Sequence, residues 1–337
     1  MPQKLDLLLI TRGLAALSVV LWHVDGYKGE LPDLVNIPGR TAVWLFFGIS
    51  GYVIAYGFLH KRYRLVASDF RDFYINRFLR IYPLFIVVSL LALLVEYYLN
   101  GSSPISWSEI PSQLLAMQFN HDYKLNGVFW TLGIEIQFYL CAPLFIVLFY
   151  QRVNPYIILV SLYCLLLVFY NYMVLNYGWS FDGRNLVTNL PHFLAGIVAC
   201  KAVMKNRPKK IGAYTCLVLA LVLISVTNSL YHNLPGKYWS LLGIVLVDGV
   251  IVLLVMAHSY FEAVDNPRLG LTYRVSAMLG ILSYGIYALH GYLIKYIPEI
   301  EGKLTIMIIA SVFCAYVSYR LIEKPALNFK RKQVAHI

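Results

Sequence analysis

Residues 5–25 read LDLLLITRGLAALSVVLWHVD, an apolar run long enough to cross a bilayer that carries Arg12 and His23 within it. A charged side chain at the centre of a membrane helix costs about 2.5–3.5 kcal/mol on insertion scales, so it stays there when it faces something polar. The eleven residues from Arg12 to His23 make three helical turns plus about 20°, which places both side chains on one stripe, about 16 Å apart. The stripe indicates a polar track through the membrane.

The rest of the chain repeats this apolar pattern. Of its 337 residues, 59% are hydrophobic and 13% are charged, whereas a typical soluble domain carries about 25% charged residues. The composition predicts an all-α polytopic integral membrane protein, with about ten transmembrane helices in a single membrane domain covering residues 1–337. The spans are predicted at 5–25, 41–59, 79–99, 128–150, 155–175, 186–204, 211–230, 238–258, 277–297 and 304–323.

The distribution of Lys and Arg predicts the orientation of these spans. With the N-terminus in the cytoplasm, cytoplasmic segments hold 19 of the 28 basic residues, the opposite loops hold 7, and Arg12 and Arg320 lie within spans. This bias favours both termini in the cytoplasm. It also accounts for the net charge of +11 without a nucleic-acid partner. All five cysteines lie in predicted spans without a C-x-x-C pair, so we expect neither a disulfide framework nor a metal site.

His23 is the first candidate for chemistry. A neutral imidazole accepts a proton from a hydroxyl at neutral pH. Because the first span runs outward, we expect His23 in the outer half of the membrane. The competing interpretation is a histidine that is hydrogen-bonded between helices.

Arg12 is expected in the inner half of the membrane. Side chains lean toward the N-terminus of their helix, so its guanidinium lies further still from His23. Guanidinium groups bind phosphate oxygens through paired hydrogen bonds. We therefore expect Arg12 to meet the cytoplasmic end of a long substrate and His23 the other end. The alternative is an arginine that snorkels to the interface.

Three further residues extend these two assignments. Glu135, the acid of the fourth span, is expected at the depth of His23, where it would orient the imidazole. The alternatives are that Glu135 pairs with Arg12 or Arg320, or that it forms a purely structural ion pair. Arg77 and Arg80 share a helix face at the inner mouth of the third span.

These two arginines are expected to hold phosphates, with Tyr82 stacked on a base. Positive-inside topology alone would also explain them. The preceding segment 60–78, HKRYRLVASDFRDFYINRF, predicts an amphipathic stretch in the interface that turns into the third span. Weaker candidates at or within spans are Asp248, His192, His258, His290, Arg320 and Glu323.

Six short patterns together resemble a family of bacterial membrane proteins, acyltransferase family 3. They are the Arg12/His23 pair, FFGISGY (46–52), RFLRIYP (77–83), FWTLGIEIQFY (129–139), SYGIYALH (283–290) and LIEKP (321–325). Their order and their placement on the helices carry the resemblance, which covers most of the chain. The fourth-span pattern often has two adjacent acids, and here Ile136 follows Glu135, so any role of a second acid is absent.

The resemblance implies a multi-pass enzyme of the bacterial inner membrane. Members transfer an acyl group, most often acetyl, from cytoplasmic acyl-CoA to hydroxyls of glycans on the far side. Acetyl-CoA is then the co-substrate, no metal is needed, and the acceptor is a glycan or lipid-linked glycan surrounded by membrane lipids. The chain resembles the stand-alone type of the family.

On this interpretation Arg12, Arg77, Arg80, Tyr82 and Ser50 of the FFGISGY pattern bind the donor. His23 acts as general base with Glu135, or else carries the acetyl group on its imidazole.

Two rival functions remain at the level of sequence. Intramembrane charges also suit a transporter or flippase for a lipid-linked glycan or a small anion, although the inverted repeats common in transporters are not visible. An acyltransferase acting on protein or lipid is the third interpretation. The identity of the glycan, the modified hydroxyl, the length of the acyl group and the oligomeric state stay open.

Overall fold

The computed structural model describes residues 3–25, 37–60, 63–101, 105–116, 123–151, 154–177, 184–234, 236–266 and 270–330. Helices account for nearly all of them. The helices are α1 Leu7–Asp25, α2 Gly39–Leu59, α3 Ala67–Asn100, α4 Ile110–Leu114, α5 Trp130–Gln151, α6 Pro155–Tyr177, α7 Leu186–Lys205, α8 Lys210–Asn233, α9 Gly236–Phe261, α10 Leu271–Tyr296, α11 Lys303–Ser318 and α12 Lys324–Asn328.

Two irregular helical turns and one small strand pair complete the fold. A 3₁₀ turn at Gly127–Phe129 leads into α5, and a π-helical turn at Tyr319–Glu323 joins α11 to α12. Strand β1 (Gln3–Lys4) pairs antiparallel with β2 (Asp265–Asn266), which ties the start of α1 to the end of α9.

The prediction of a polytopic all-α membrane protein is confirmed. Among the described residues, nine helices are long and apolar enough to cross a membrane. The remaining predicted span, 155–175, is the 23-residue helix α6, whose described apolar stretch is Tyr156–Leu166. Large apolar side chains such as Leu94 on α3 and Leu221 on α8 stay exposed, as expected of helices that face lipid.

The bundle has two ends, which we name by what they carry. The terminal side holds β1, β2 and the turn after α2, and the opposite side holds residues 105–116 and the ends of α1 and α10. On the terminal side, the Tyr273 hydroxyl donates to the Lys4 carbonyl at 3.0 Å. On the opposite side, the Tyr296 hydroxyl donates to Glu96 at 2.6 Å.

Helix α3 differs from the sequence prediction. We expected an interfacial stretch that turns into the third span, but α3 runs without a break from Ala67 to Asn100 and contains Pro83. Its 34 residues span about 51 Å, well beyond a bilayer core of about 30 Å. One rigid helix therefore carries Arg77 and Arg80 from the terminal side into the bundle.

Glycines set how closely the helices that carry the site cross. A Cβ at Gly13 would lie 2.7 Å from the Gly280 nitrogen, so α1 and α10 touch backbone to backbone. A Cβ at Gly51 would lie 2.1 Å from the Phe193 oxygen, which does the same for α2 and α7. Small residues permit such contacts in a membrane, where apolar burial gives little drive for association. Arg12 and Ser50 each adjoin one of these glycines, so the crossings fix where both side chains emerge.

Candidate active site

Three cavities meet at Arg12. The largest, about 240 Å³, lies on the terminal side between α1, α2 and α9, and two of about 60 Å³ each lie deeper in the bundle. The Arg12 side chain lines all three. Within the described part of the chain, its guanidinium has neither an ion pair nor a hydrogen bond. Because an arginine without a partner is costly inside a membrane, its position indicates a site for an anionic ligand.

The largest cavity, which we call the vestibule, has a polar rim. Asp6 and Glu262 contribute partly exposed carboxylates, and His258 lies between them at 3.6 Å from Asp6 Oδ1 and 3.7 Å from Glu262 Oε2. Tyr52 and Tyr56 of α2 line its wall. The vestibule thus connects the terminal surface to Arg12 through a passage with both polar and aromatic walls.

The second cavity, the arginine cavity, brings Arg12 together with Arg77 and Arg80. The Arg77 guanidinium lies 5.3 Å from the centre of the Tyr139 ring, and Arg77 Nε is buried without a hydrogen-bond partner among the described residues. Arg80 Nη1 lies 3.5 Å from Glu323 Oε2. Three guanidinium groups on two helices therefore converge, and the carboxylates of Glu323 and Glu135 lie near enough to offset part of their charge.

Glu323 reaches Arg80 because of the π-helical turn at Tyr319–Glu323. Such turns insert one residue into a helix and are frequent at functional sites. The Glu323 side chain is only 2% exposed, and neither of its oxygens forms a hydrogen bond among the described residues. Its carboxylate therefore acts on Arg80 through charge, not through a close hydrogen bond.

Glu135 belongs to this arginine region. Its Oε1 accepts hydrogen bonds from Ser50 Oγ at 2.7 Å and from the Tyr139 hydroxyl. The same side chain lines both small cavities together with Arg12 and Ser50. Glu135 therefore shares two cavities with Arg12, and within the described structure the two side chains form no direct ion pair.

The third cavity, the middle cavity, ends at Tyr287. It runs between α1, α2, α5 and α10 and is lined by Arg12, Ser50 and Glu135 at one end and Thr131 and Tyr287 at the other. The Tyr287 hydroxyl donates to the Val128 carbonyl at 2.8 Å and accepts from Thr131 Oγ1 at 2.7 Å. We call Tyr287, with its hydrogen bonds to Val128 and Thr131, the tyrosine partition. It lies between the middle cavity and His290.

His23 lies on the far side of the partition. Its side chain is exposed, and its Nδ1 donates to the Val19 carbonyl at 2.8 Å. Its ring centre is 5.1 Å from that of His290, which in turn is 5.4 Å from that of Tyr287. His23 lines none of the three cavities described above. Arg12 and His23 share one stripe of α1, but His23 lies outside the three cavities that Arg12 lines.

One sequence assignment needs correction. Glu135 was expected beside His23, but its hydrogen bonds run to Ser50 and Tyr139, because the rotation of α5 turns it toward α2. The Tyr82 hydroxyl donates to the Leu115 carbonyl at 2.9 Å, and Tyr82 lines none of the three cavities. Its stacking on a base stays a prediction.

Sequence reasoning gave too little weight to helix α10. Tyr284, Tyr287 and His290 recur every third residue and so lie on one helical face, which faces α1, α3 and α5. The spacing of these three residues within SYGIYALH could have predicted their shared face. Tyr284 lines both small cavities, and its ring lies 5.8 Å from the Arg80 guanidinium. Helix α10 therefore supplies a wall to both the arginine region and the histidine region.

The sequence profile of an acyltransferase domain, that of the acyltransferase 3 family, matches residues 6–320. The chain belongs to this family. The match extends from the vestibule residue Asp6 to the π-helical turn, so every cavity described above lies within or beside it. The chain is therefore a multi-pass membrane protein of an acyltransferase family.

Individual relatives are distant. The peptidoglycan O-acetyltransferase OatA of Listeria monocytogenes is 25% identical over 354 residues, which cover 93% of this chain and 54% of the relative. The O-acetyltransferase OatA of Staphylococcus aureus is 22% identical over 347 residues, covering 93% and 56%. A putative acetyltransferase, ORF330, of Acidianus two-tailed virus is 26% identical over 291 residues, covering 83% and 80%.

The chain spans about half the length of the two OatA proteins. No solved structure matches it. Among the described residues, no group of three or more His, Cys, Asp or Glu side chains is arranged to hold a metal ion.

Proposed function

We propose that the protein is a transmembrane O-acetyltransferase, which moves an acetyl or other short acyl group from acyl-CoA to a hydroxyl of a cell-envelope or secreted glycan. The observation that carries the proposal is the division of α1 by the tyrosine partition. Arg12, which has no ion pair among the described residues, lies where three cavities meet on one side, and an exposed His23 lies on the other.

The donor enters from the terminal side in this proposal. The Lys and Arg bias of 19 to 7 assigns that side to the cytoplasm, where acyl-CoA is made. The phosphates bind Arg77, Arg80 and Arg12, since guanidinium forks match phosphate oxygens. Support comes from the convergence of these three side chains on the arginine cavity.

The acyl end of the donor then points along the middle cavity. Arg12 and His23 are about 16 Å apart along the helix axis, a separation that suits an elongated thioester donor and not a compact one. Tyr287 must move or rotate for the thioester to pass, because its hydroxyl is bonded to Val128 and Thr131. Phe46 and Phe47 give this cavity apolar walls, which fit an uncharged arm.

His23 performs the chemistry on the opposite side. Because Nδ1 is bonded to the Val19 carbonyl, Nε2 carries the free lone pair. As general base, Nε2 takes the proton of the glycan hydroxyl, whose oxygen attacks the thioester carbonyl, and the C–S bond breaks to release CoA as thiolate. In the covalent route, Nε2 itself attacks the carbonyl and the C–S bond breaks to release CoA as thiolate. The sugar oxygen then attacks the acyl group, and the hydroxyl proton passes to Nε2 as the C–N bond breaks.

The acceptor class is suggested by the names of the relatives, one of which acts on peptidoglycan. The exposed His23 opens toward the opposite side, where envelope glycans lie if the terminal side is cytoplasmic. The bacterial cytoplasmic membrane is the location that joins this donor to such an acceptor.

The test follows label from acetyl-CoA into glycan. Membranes containing wild type, His23→Ala or His232→Asn receive acetyl-labelled CoA, and label is measured in extracted glycan and lipid-linked glycan. His232 is a matched control, since it is exposed at the end of α8 on the same side. We expect label with wild type and His232→Asn and none with His23→Ala. Equal label in all three would remove His23 from the chemistry, and movement of glycan without label would favour a flippase.

A further inference from the structure

His290 lies beside His23 but has no place in the scheme above. Its side chain is fully buried in α10 at 0% exposure, and its ring centre lies 5.1 Å from that of His23. Its Nδ1 bonds to the Tyr287 carbonyl at 2.5 Å, while Nε2 has no hydrogen-bond partner among the described residues. Buried polar atoms are nearly always paired, so an unpaired one calls for a ligand or a role.

The hydrogen bonds fix the tautomer of both rings. A backbone carbonyl only accepts, so Nδ1 carries the hydrogen in His23 and in His290. Each ring is thus held by a carbonyl of its own helix and keeps a lone pair on Nε2. The two imidazoles form a pair in which His23 is exposed and His290 is enclosed.

The surroundings of His290 hold it in place. Asn126 Nδ2 donates to the Ala288 carbonyl at 3.0 Å, and a Cβ at Gly291 would lie 2.5 Å from Asn126 Oδ1. The 3₁₀ turn that leads into α5 is thereby held against α10. The Tyr287 carbonyl that accepts from His290 Nδ1 belongs to the backbone of α10, so it stays in place when the Tyr287 side chain rotates. The lone pair of His290 therefore keeps its place relative to α1.

Both chemical routes make the His23 ring cationic. As general base it becomes imidazolium, and as acyl carrier it passes through an acylated imidazolium before losing a proton. A neighbouring lone pair without another donor stabilises such a charge at short range. We propose that His290 is a positioning residue, whose unpaired Nε2 stabilises the His23 ring once that ring becomes cationic. The proposal rests on the proposed function of His23.

Two amide substitutions distinguish the contribution of His290 Nδ1 from that of His290 Nε2. His290→Asn keeps an amide near the position of Nδ1, where it can still bond to the Tyr287 carbonyl, and removes Nε2. His290→Gln places its amide near the position of Nε2 and restores an acceptor there. The matched control is His232→Asn, whose ring meets Trp22 and not His23.

We expect His290→Asn to lower kcat for acetyl transfer by about 10- to 100-fold, the size of one hydrogen bond to a charged group. The KM for acetyl-CoA should stay unchanged, because the donor phosphates lie beyond the partition. His290→Gln should recover most of the rate, and His232→Asn should match wild type. Thermal unfolding of each purified variant establishes that it is folded, and His290→Leu replaces His290→Asn if the latter does not accumulate.

Two results would overturn the proposal. One is wild-type kcat in a folded His290→Asn or His290→Leu variant, and the other is an equal loss in the Asn and Gln variants together with a raised KM, which marks a purely structural histidine. Both leave the proposed function standing as long as His23→Ala is inactive. Absence of transfer by wild type in the same assay would count against the proposed function itself.

Discussion

The two ends of the polar stripe on α1 differ in what surrounds them. Arg12 lies among charges, with Arg77, Arg80 and Glu135 around one cavity and Asp6 and Glu262 at the vestibule rim. His23 is next to a backbone carbonyl, a second imidazole and open space. A charged pocket whose Arg12 guanidinium has no ion pair among the described residues suits binding of an anion, while a ring with a free lone pair suits proton or acyl transfer. On the proposed function, one helix thus carries a binding residue at one end and a chemical residue at the other.

The tyrosine partition is what keeps the two regions apart. Tyr287 belongs to both, since it lines the middle cavity and its ring lies 5.4 Å from that of His290. Variants at Arg12 should therefore change the affinity for the donor, whereas variants at His23 should change the rate of transfer.

The largest effect should come from His23→Gln. The amide keeps polar character but cannot hold the proton or the acyl group, so transfer should fall by about 10²- to 10⁴-fold, the usual contribution of a general base. The affinity for acetyl-CoA should not change. Single-turnover transfer and equilibrium binding of acetyl-CoA to the purified protein measure the two quantities separately. A parallel fall in both would join the two regions into one site.

Arg12→Lys should lower the affinity for the donor and leave the rate of transfer nearly unchanged. Lysine keeps the charge but loses the planar fork, so two hydrogen bonds to phosphate become one. Affinity for acetyl-CoA should drop by about 10- to 100-fold, the size of one charge-assisted hydrogen bond. Transfer at saturating donor should stay within a few-fold of wild type. Unchanged affinity would show that Arg12 does not meet the donor phosphates.

Helical spacing in the sequence predicted how Arg12 and His23 are arranged on α1, but it did not predict the position of Glu135. Helical spacing placed Arg12 and His23 on one stripe and Arg77 and Arg80 on one face. Depth in the membrane was predicted from chain direction alone, and depth does not fix the rotation of a helix. Glu135 therefore was expected near His23, while the rotation of α5 brings it to Ser50.

The rotation and closeness of helices depend on contacts between distant segments. Close backbone contacts set the helix crossings at Gly13, Gly51, Gly196 and Gly280. The local sequence does not show which backbone segment each glycine contacts. The partner of the Tyr82 hydroxyl, the Leu115 carbonyl, likewise lies in a later segment of the chain and could not be predicted from the sequence around Tyr82. Helix α3 also continues past Pro83, where the sequence predicted an interfacial stretch that turns into the third span.

Glu323→Gln should have an intermediate effect, on stability. It removes the only carboxylate within 4 Å of Arg80 in the described structure. Losing one partner of a fully buried pair costs about 3–5 kcal/mol; the cost here should be lower, because Arg80 is 20% exposed. The midpoint of thermal unfolding in detergent should fall, while the exposed control Glu301→Gln leaves it in place. Equal midpoints would mean that Arg80 is stabilised without Glu323.

The smallest effect concerns the opposite surface, away from both regions. Hydrogen bonds from Lys124, at 2.6 Å, and from Ser106 lower the pKa of Glu109 to about 2. A lowered pKa means that the contribution to stability is present above the ordinary range near 4.5 and is lost as pH falls through about 2. Hydrogen exchange of the peptide 105–116 should therefore show the same protection, after correction for intrinsic rates, at pH 7 and pH 5. Loss of protection already near pH 5 would contradict this ion pair.

In the proposed function, the acyl group leaves a donor on the terminal side and reaches an acceptor on the opposite side. Sealed inside-out vesicles test this transfer across the membrane, with glycan acceptor trapped in the lumen, a second portion of acceptor outside, and labelled acetyl-CoA added only outside. We expect label in the luminal glycan with wild type and none with His23→Ala. Label confined to the external acceptor would contradict it, because donor and acceptor would then meet on one side of the membrane.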